Sequence, residues 1–341
     1  MPIDKNFATA RWWKPQKDKK LKCFLCPREC LLEDEQRGFC FLRQNQSGEL
    51  KTSYGVISTL AIDPVEKKPL YHFYPGTQTL SLGTVGCNLG CSFCQNWQIS
   101  KPTDLSFLSK QASPSMIAKT AKERSCQSVA FTYNEPIISS EYVIEIAREC
   151  HAQGIKTIAV TAGYIHSLAR KDFFEYVDAA NVDLKSFSNQ FYQTHCNATR
   201  EPILDTLCFL KEKTNVWLEL TNLIIPGEND ADEEIGQMCA WIARYLGLDV
   251  PMHFSAFHPD DKMLQQKQTS KEALVKARAI AFDHGLRYVY TGNIFDIEGS
   301  TTFCYTCKNV LIERQGYTVS RKTFNDHGQC QSCQATCPGY F

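Results

Sequence analysis

The middle of the chain alternates short apolar runs with longer amphipathic stretches. The runs have the length of strands, and the stretches between them repeat apolar residues at helical spacing. Such alternation is typical of repeated βα units around a parallel sheet. Six runs are predicted strands and a seventh is a further candidate: residues 80–85, 128–132, 157–160, 181–184, 216–220, 252–256 and 287–290.

Helix signals fall between these runs. Ser113, followed by a proline, predicts the N-cap of a helix that extends to about residue 125. A second helix is predicted from about residue 140 to Gly154. Asp230 with Glu233 three residues later has the pattern of a capping box and predicts a third helix.

Six βα units with right-handed crossovers close or nearly close into a barrel. We therefore predict an α/β fold, a partial TIM-like (β/α)6 barrel over residues 56–297. Residues 1–55 and 298–341 lie outside the alternation and are rich in cysteine, so they are predicted to be small extensions stabilised by metal.

Composition narrows the class of protein. Of 341 residues, 43% are hydrophobic, which favours a packed globule. Lys plus Arg equals Asp plus Glu at 37 each, so no global positive field attracts nucleic acid or anionic lipid. The first residues lack the order of a signal peptide, and no apolar run is long enough to cross a bilayer. We expect a cytoplasmic protein without membrane or nucleic-acid partners.

Seventeen cysteines are too many for an ordinary soluble enzyme, and in a reducing compartment they indicate metal or redox chemistry. Twelve of them fall in three groups, between Cys23 and Cys40, between Cys87 and Cys94, and between Cys304 and Cys337. The other five are predicted to be small core hydrophobes without a function: Cys126, Cys150, Cys196, Cys208 and Cys239.

The central group follows the first predicted strand directly. Cys87, Cys91 and Cys94 lie in one loop with the spacing C-x3-C-x2-C, and an aromatic residue precedes the third. A cubane iron–sulfur cluster normally takes four thiolates, so three leave one iron without a protein ligand, free to bind substrate. A zinc knuckle or plain buried thiols are the alternatives.

The loop closely resembles the signature of the radical S-adenosylmethionine (SAM) superfamily. That resemblance implies a 4Fe-4S cluster whose open iron chelates the amino and carboxylate groups of SAM. It also implies that one electron splits SAM into methionine and a 5′-deoxyadenosyl radical. The predicted barrel is then a radical SAM barrel, with Cys87, Cys91 and Cys94 as catalytic metal ligands.

Polar residues follow other strands at the barrel end where active sites lie. Glu135, after the second strand, is predicted to accept the ammonium of SAM, or else to be a loop carboxylate. Activating enzymes of glycyl-radical proteins have Gly-Gly-Glu here, whereas this chain has Tyr133 and Asn134 before the glutamate. Gly163, after the third strand, permits close backbone approach to a cofactor or forms an ordinary turn.

Asp183 and Lys185 end the fourth strand on one face, because strand side chains alternate. The pair resembles the Asp-x-Lys of the same activating enzymes, which implies that Lys185 binds the SAM carboxylate while Asp183 orders the site. A structural ion pair is the alternative. His253 and His258, at the sixth strand, are equally compatible with structural and catalytic roles.

Both ends of the chain carry a further set of four cysteines. What we call the C-terminal group has the paired C-x2-C spacing of zinc ribbons and comprises Cys304, Cys307, Cys330 and Cys333. Zinc is predicted there, with a second iron–sulfur cluster as the alternative. The N-terminal group is dense enough to bind metal but less diagnostic, so free thiols stay open for Cys23, Cys26, Cys30 and Cys40.

The order of motifs from Cys23 to Cys333 resembles the AmmeMemoRadiSam-system radical SAM enzymes, which are similar to pyruvate formate-lyase activating enzymes. The resemblance rests on the N-terminal group, residues 63–73, the cluster loop ending in Cys-Gln-Asn-Trp, Tyr-Asn-Glu-Pro at 133–136, Asp-Leu-Lys at 183–185, and Gly-Asn at 292–293. It implies hydrogen abstraction from an unidentified protein or small-molecule substrate and an electron donor such as flavodoxin or ferredoxin. It also implies association with Memo-like and Ammecr-like proteins.

Three other functions remain open from the sequence. An activating enzyme for a glycyl-radical enzyme of the pyruvate formate-lyase type fits the same motifs. The ribbon-like C-terminal group also suits an RNA-modifying radical SAM enzyme, although the neutral net charge argues against it. A noncatalytic metal-binding scaffold is the third.

Overall fold

The computed structural model describes residues 7–102 and 110–341. Its strands, in chain order, are Phe7–Thr9 (β1), Trp13–Pro15 (β2), Leu21–Cys23 (β3), Leu31–Leu32 (β4), Arg43–Gln46 (β5), Glu49–Ser53 (β6), Val56–Ile57 (β7), Thr59–Pro64 (β8), Gln78–Gly83 (β9), Lys110–Gln111 (β10), Ser128–Phe131 (β11), Lys156–Thr161 (β12), Ala179–Asp183 (β13), Trp217–Ile224 (β14), Met252–Ala256 (β15), Val289–Gly292 (β16), Thr302–Phe303 (β17), Val310–Gln315 (β18) and Thr318–Arg321 (β19).

Helices separate the strands of the central part. The α-helices are Trp97–Ser100 (α1), Pro114–Glu123 (α2), Ser140–Ala152 (α3), Ser167–Phe174 (α4), Asn189–Phe191 (α5), Glu201–Lys213 (α6), Asp232–Tyr245 (α7), Lys271–Asp283 (α8) and Ile297–Ser300 (α9). A π-helix, Tyr192–Cys196, follows α5. Among the described residues, no helix combines the length and apolar character needed to cross a membrane.

The main sheet runs in the order β16-β15-β14-β13-β12-β11-β9-β8. From β9 to β16 every pairing is parallel, and strand and helix alternate along the chain. All seven predicted runs form these strands, so the predicted α/β fold, compatible with a partial TIM-like barrel, is confirmed. The parallel pairing brings the carboxyl ends of the strands, and the loops that follow them, to one side of the sheet.

The eighth strand, β8, was not predicted. It pairs antiparallel with β9 at the end of the sheet, from Thr59 opposite Gly83 to Pro64 opposite Gln78. Its apolar run is short, and Ile62 is 42% exposed, so its hydrophobic pattern is weak. Antiparallel edge strands on parallel sheets are common and carry little sequence signal of their own.

One helix cap is as predicted and another is not. Ser113 caps α2, its hydroxyl accepting a hydrogen bond from the Met116 amide. The predicted capping box of α7 was wrong. The N-cap is Ala231, one residue after Asp230, and no side chain caps the helix. Asp230 instead accepts the Gly227 amide at 2.8 Å, so its carboxylate closes the turn before the helix.

The two cysteine-rich ends pack against the barrel differently. The N-terminal strands form two three-stranded sheets, and Leu21, Leu32 and Leu50 are buried in the same core as the barrel. The C-terminal sheet β17-β18-β19 packs on a separate cluster that includes Tyr288 and Tyr290. The N-terminal extension shares its core with the barrel, so residue 55 does not separate two cores. The domain divisions at residues 55 and 297 therefore stay predictions.

Candidate active site

A large pocket opens where the parallel strands end. It has a volume of about 1740 Å³, including space open to solvent. Loops after β9, β11, β12, β13 and β16 contribute to its wall. Most of the predicted central site residues line it, namely Cys87, Cys91, Cys94, Glu135, Asp183 and Lys185.

Backbone hydrogen bonds hold the loop of the three cysteines in place. Gly86 has a φ of +86° and donates its amide to the Ile99 carbonyl at 2.7 Å. The Gly90 amide donates to the Cys196 carbonyl, and the Ser92 amide donates to the His195 carbonyl, each at 2.8 Å. The loop is therefore fixed against the π-helix behind it, and its cysteines face the pocket as a preformed set.

The three thiols lie in different electrostatic surroundings. Burial, followed by the Glu135 carboxylate, raises the pKa of Cys87 well above its usual value. Burial also raises the pKa of Cys94. A hydrogen bond with Cys196 lowers the pKa of Cys91 to about 7. Cys196 is fully buried. It lies 105 residues downstream of Cys91, so no local spacing pattern indicates this contact.

The Glu135 carboxylate is buried and held by three donors. Oε1 accepts the Thr161 hydroxyl at 2.5 Å and the Ile137 amide at 3.2 Å, and Oε2 accepts the Ala162 amide at 2.8 Å. Burial nevertheless raises its pKa to about 7, because desolvation of the charged form outweighs these bonds. A cation in the pocket would offset that desolvation.

Asp183 and Lys185 form an ion pair at the pocket wall, with Nζ 2.8 Å from Oδ2. Burial by itself would lower the pKa of Lys185, but Asp183, Cys91 and Cys196 raise it well above its usual value. Lys185 therefore stays charged beside the thiols. Its backbone amide donates to the Tyr192 hydroxyl at 3.0 Å, which fixes the end of β13.

Three other candidate residues lie outside the pocket lining or are bonded to a structural partner. The pocket lining that the structure describes does not include Gly163, whose φ is +68° and whose missing side chain would meet Val182 at 3.1 Å. The turn alone accounts for glycine there. His253 lines the pocket, but its Nε2 lies 2.7 Å from the buried Glu219 carboxylate. His258 lies outside the lining.

Comparison with known proteins agrees with this geometry. Residues 81–239 match the Radical SAM superfamily, a stretch that contains the three cysteines, Glu135 and the Asp183–Lys185 pair. An uncharacterized protein of Methanocaldococcus jannaschii is 38% identical over 328 residues, covering 95% of this chain and 96% of that protein. The chain belongs to the radical SAM superfamily. It is therefore an enzyme of the radical SAM class.

Two further comparisons identify a homologue and a shared fold for this radical SAM enzyme. The pyruvate formate-lyase-activating enzyme of Clostridium pasteurianum is 25% identical over 214 residues, covering 60% of this chain and 87% of that enzyme. A radical SAM methyltransferase structure from Sphaerobacter thermophilus has a TM-score of 0.51 at 15% identity, covering 64% of this chain and 67% of that chain. The first is a homologue, and the second shows the shared fold.

The radical SAM enzyme also has pocket residues that sequence reasoning did not assign. Asp63, at the end of β8, accepts Lys68 Nζ and the Tyr133 hydroxyl, each at 2.7 Å. Lys68 and Tyr133 line the pocket. Tyr317, from the turn between β18 and β19, lines it as well, so the C-terminal extension reaches the site. Asp63 and Lys68 belong to the motif at residues 63–73, so the sequence offered a hint of their importance. Only the fold brings Tyr317 to the pocket.

The C-terminal group forms a compact tetrad of sulfurs. All four Sγ atoms lie within 4.8 Å of one another, with Cys304 to Cys333 at 3.5 Å and Cys307 to Cys330 at 3.6 Å. Zinc–thiolate bonds of about 2.3 Å in a tetrahedron place sulfurs about 3.8 Å apart. The radical SAM enzyme thus has a cysteine cluster of the dimensions that suit one zinc ion.

The N-terminal group is arranged differently. Its four cysteines line one small pocket, together with Leu25, Leu32 and Ile138. Among the described residues, only the C-terminal group has three or more ligand atoms that all lie within 4.8 Å of one another. Burial raises the pKa of Cys26 to about 12 and also raises the pKa of Cys40.

Proposed function

We propose that this enzyme reductively cleaves SAM at a 4Fe-4S cluster held by Cys87, Cys91 and Cys94 and abstracts hydrogen from a substrate. The observation that carries the proposal is that three thiols of one loop open onto the pocket that also contains Glu135 and the Asp183–Lys185 pair. No fourth cysteine belongs to the pocket wall that the structure describes. This donor set suits a cubane with one iron left for SAM.

The cluster would supply the electron that splits SAM into methionine and a 5′-deoxyadenosyl radical. The chain would bind and orient the cofactor. Lys185 is a fixed cation beside the thiols and would pair with the SAM carboxylate, while Asp183 holds Nζ in place at 2.8 Å. Glu135 would accept the SAM ammonium, since a cation restores the charged state that burial disfavours. Gly163 would act only through the turn that positions Thr161 and Ala162 beside Glu135.

Anaerobic reconstitution with iron and sulfide tests the proposal. Adding dithionite and SAM should yield 5′-deoxyadenosine and methionine in equal amounts. Cys94→Ala should abolish both products and remove the central iron, whereas Cys126→Ala, a cysteine outside all three groups, should retain them. Fully loaded protein that forms no 5′-deoxyadenosine would refute the proposal.

Activation of a glycyl-radical enzyme is the second candidate, favoured by the homology to activating enzymes. Pyruvate formate-lyase can serve as the probe. The candidate predicts a glycyl-radical signal in its electron paramagnetic resonance (EPR) spectrum after incubation with SAM and the reduced enzyme. SAM cleavage without that signal would leave the first proposal standing and remove this one.

The remaining assignments are proposals of the same kind. We place the enzyme in the AmmeMemoRadiSam system, with Memo-like and Ammecr-like proteins as partners and flavodoxin or ferredoxin as electron donor. The cytosol is the proposed location, since a reducing compartment keeps metal-binding cysteines from forming disulfides. Zinc is proposed for the C-terminal group, and a metal site, either zinc or an iron–sulfur cluster, is proposed for the N-terminal group. Pull-down with Memo-like and Ammecr-like proteins as bait tests the partners.

A further inference from the structure

The N-terminal group lines a small cavity that the proposed reaction does not use. Cys23 ends β3, and its amide donates to the Cys30 carbonyl at 2.9 Å, which closes the loop that also carries Cys26. Cys40 lies in the turn before β5, where the Phe41 amide donates to the Gly38 carbonyl at 2.8 Å. Two hydrogen-bonded turns therefore direct four thiols into one space.

Gly38 lies against this ring of thiols. A Cβ built there would lie 3.8 Å from both the Cys30 and the Cys40 sulfur. Because no three of these sulfurs lie within the 4.8 Å that defines the C-terminal group, one tetrahedral ion does not fit them as they stand. A cubane suits wider spacing, since each thiolate binds a different iron.

A buried positive charge faces the same cavity. Arg43 is 1% exposed and lies in the cavity wall, with NH1 3.9 Å from the Cys23 sulfur. Both Glu141 oxygens accept from its NH2, at 2.5 and 2.6 Å, so the guanidinium is fixed. Glu141 balances the charge of Arg43, and NH1 still lies within donor range of the Cys23 sulfur. A thiolate-bound cluster carries net negative charge, and a donor beside its sulfur stabilises it.

The cavity also contacts the central cysteine loop directly. A Cβ on Gly86 would lie 2.0 Å from the Cys40 carbonyl oxygen, so the backbone before Cys87 passes against the backbone of the N-terminal group. Arg28 Nε donates to the Asn88 carbonyl at 2.5 Å, within the central loop itself. No other element separates the two groups at this contact.

We propose that Cys23, Cys26, Cys30 and Cys40 hold a second iron–sulfur cluster that exchanges electrons with the central cluster. Its reduced form would pass one electron to the central cluster and return to its oxidised form. A low-potential one-electron carrier of the flavodoxin or ferredoxin class would restore it. The inference depends on the proposed function only for the central partner in this exchange.

Removing the central ligands isolates the proposed cluster. The triple variant Cys87→Ala, Cys91→Ala, Cys94→Ala should retain roughly four iron and four sulfide ions per chain. Its dithionite-reduced EPR signal should not respond to SAM. Iron-free protein, with either zinc or free thiols at the N-terminal group, would overturn the assignment, whatever the outcome for SAM cleavage in the unaltered enzyme.

The converse variant tests the contact. Cys26→Ser combined with Cys30→Ser should lose about half of the iron and keep an EPR signal that SAM alters. Cys150→Ser, at a buried thiol outside the groups, should keep all of the iron. In the unaltered, fully reduced enzyme the two signals should broaden each other through spin coupling, and signals that merely add would overturn the electron exchange. Unchanged zinc content and circular dichroism check that the double variant has folded.

Discussion

The N-terminal and C-terminal groups each contain four cysteines, yet their surroundings differ. The C-terminal sulfurs form a compact tetrad, with Cys333 exposed to solvent. The N-terminal thiols lie further apart around a small cavity, beside the buried Arg43 and against the central loop. Two groups with the same number of thiols can therefore form different kinds of metal site, because the spacing of the sulfurs and the nearby charges influence which metal fits.

Loss of a ligand from the C-terminal group should have the largest effect. Cys330→Ser removes a buried sulfur from the tetrad, and structural zinc contributes on the order of 10–16 kcal/mol of apparent binding free energy to such small folds. Zinc analysis should show its loss with iron unchanged, and calorimetry should show early melting of the extension. Cys337→Ser, outside the tetrad, is the control. A parallel loss of iron would mean that the two groups are not distinct.

The second largest effect on stability is expected from removing the Glu141 carboxylate, which pairs with Arg43 beside the N-terminal group. Glu141→Gln leaves the Arg43 guanidinium buried without its partner, and breaking such a pair costs about 3–5 kcal/mol. Chemical denaturation of the anaerobic protein measures the change. The exposed pair of Lys276 and Asp232 supplies the control, since Lys276→Gln should cost at most about 1 kcal/mol. Equal costs for both variants would contradict a special role for the buried pair.

Acid should weaken the attachment of the C-terminal extension. Burial lowers the pKa of His72 to about 4, and its ring bonds the Pro338 carbonyl at 2.7 Å and the Tyr290 hydroxyl at 2.6 Å. The unfolded chain, with a histidine pKa near 6.5, binds more protons between about pH 6.5 and 4. Stability should therefore fall across that range by up to about 3 kcal/mol.

The pH dependence of unfolding in the unaltered protein and in His72→Gln checks this expectation. The variant should be less stable at pH 7 but should lose less stability on acidification. His258→Gln, at a partly exposed residue that does not contact the C-terminal extension, is the control and should keep the pH dependence due to His72. A pH slope unaffected by His72→Gln would assign acid sensitivity to other groups.

The last prediction concerns the contact between the N-terminal group and the central loop, and its readout is the difference between two variants. Gly86→Ala and Gly154→Ala both place a side chain at positive φ, of +86° and +75°, and each should cost about 1–3 kcal/mol in strain. Only Gly86→Ala also drives a Cβ against the Cys40 carbonyl, whereas Gly154 has open space. The difference in melting temperature isolates the contact, and EPR spin coupling should diminish in the first variant alone.

The barrel was predictable because each strand carries its own signal. Continuous apolar runs identified all seven parallel strands, since a buried parallel strand has no polar face to interrupt the pattern. The antiparallel β8 escaped because Ile62 and its neighbours are partly exposed at the sheet edge. The cap of α7 was misplaced because Asp230 can satisfy either a helix end or the preceding turn, and local sequence does not decide between them.

The structure brings most of the predicted central residues to one pocket, but the sequence did not indicate what surrounds them. Cys87, Cys91, Cys94, Glu135, Asp183 and Lys185 follow strand ends, and parallel strands bring such ends together. Cys196 and Tyr317 reach the site from distant parts of the chain, so spacing gave no sign of them. Gly163 was chosen for its lack of a side chain, which a turn requires as much as a ligand does.

The sequence by itself determined which chemistry is available to this protein, since thiol number, thiol spacing and strand periodicity are local properties of the chain. Only the tertiary structure decided how far apart the sulfurs of each group lie, which charge faces them and which loops touch. Those properties depend on residues tens to hundreds of positions apart, such as Arg43 with Glu141 and His72 with Pro338. Tertiary packing brings these residues together, and a local sequence pattern does not predict such long-range contacts.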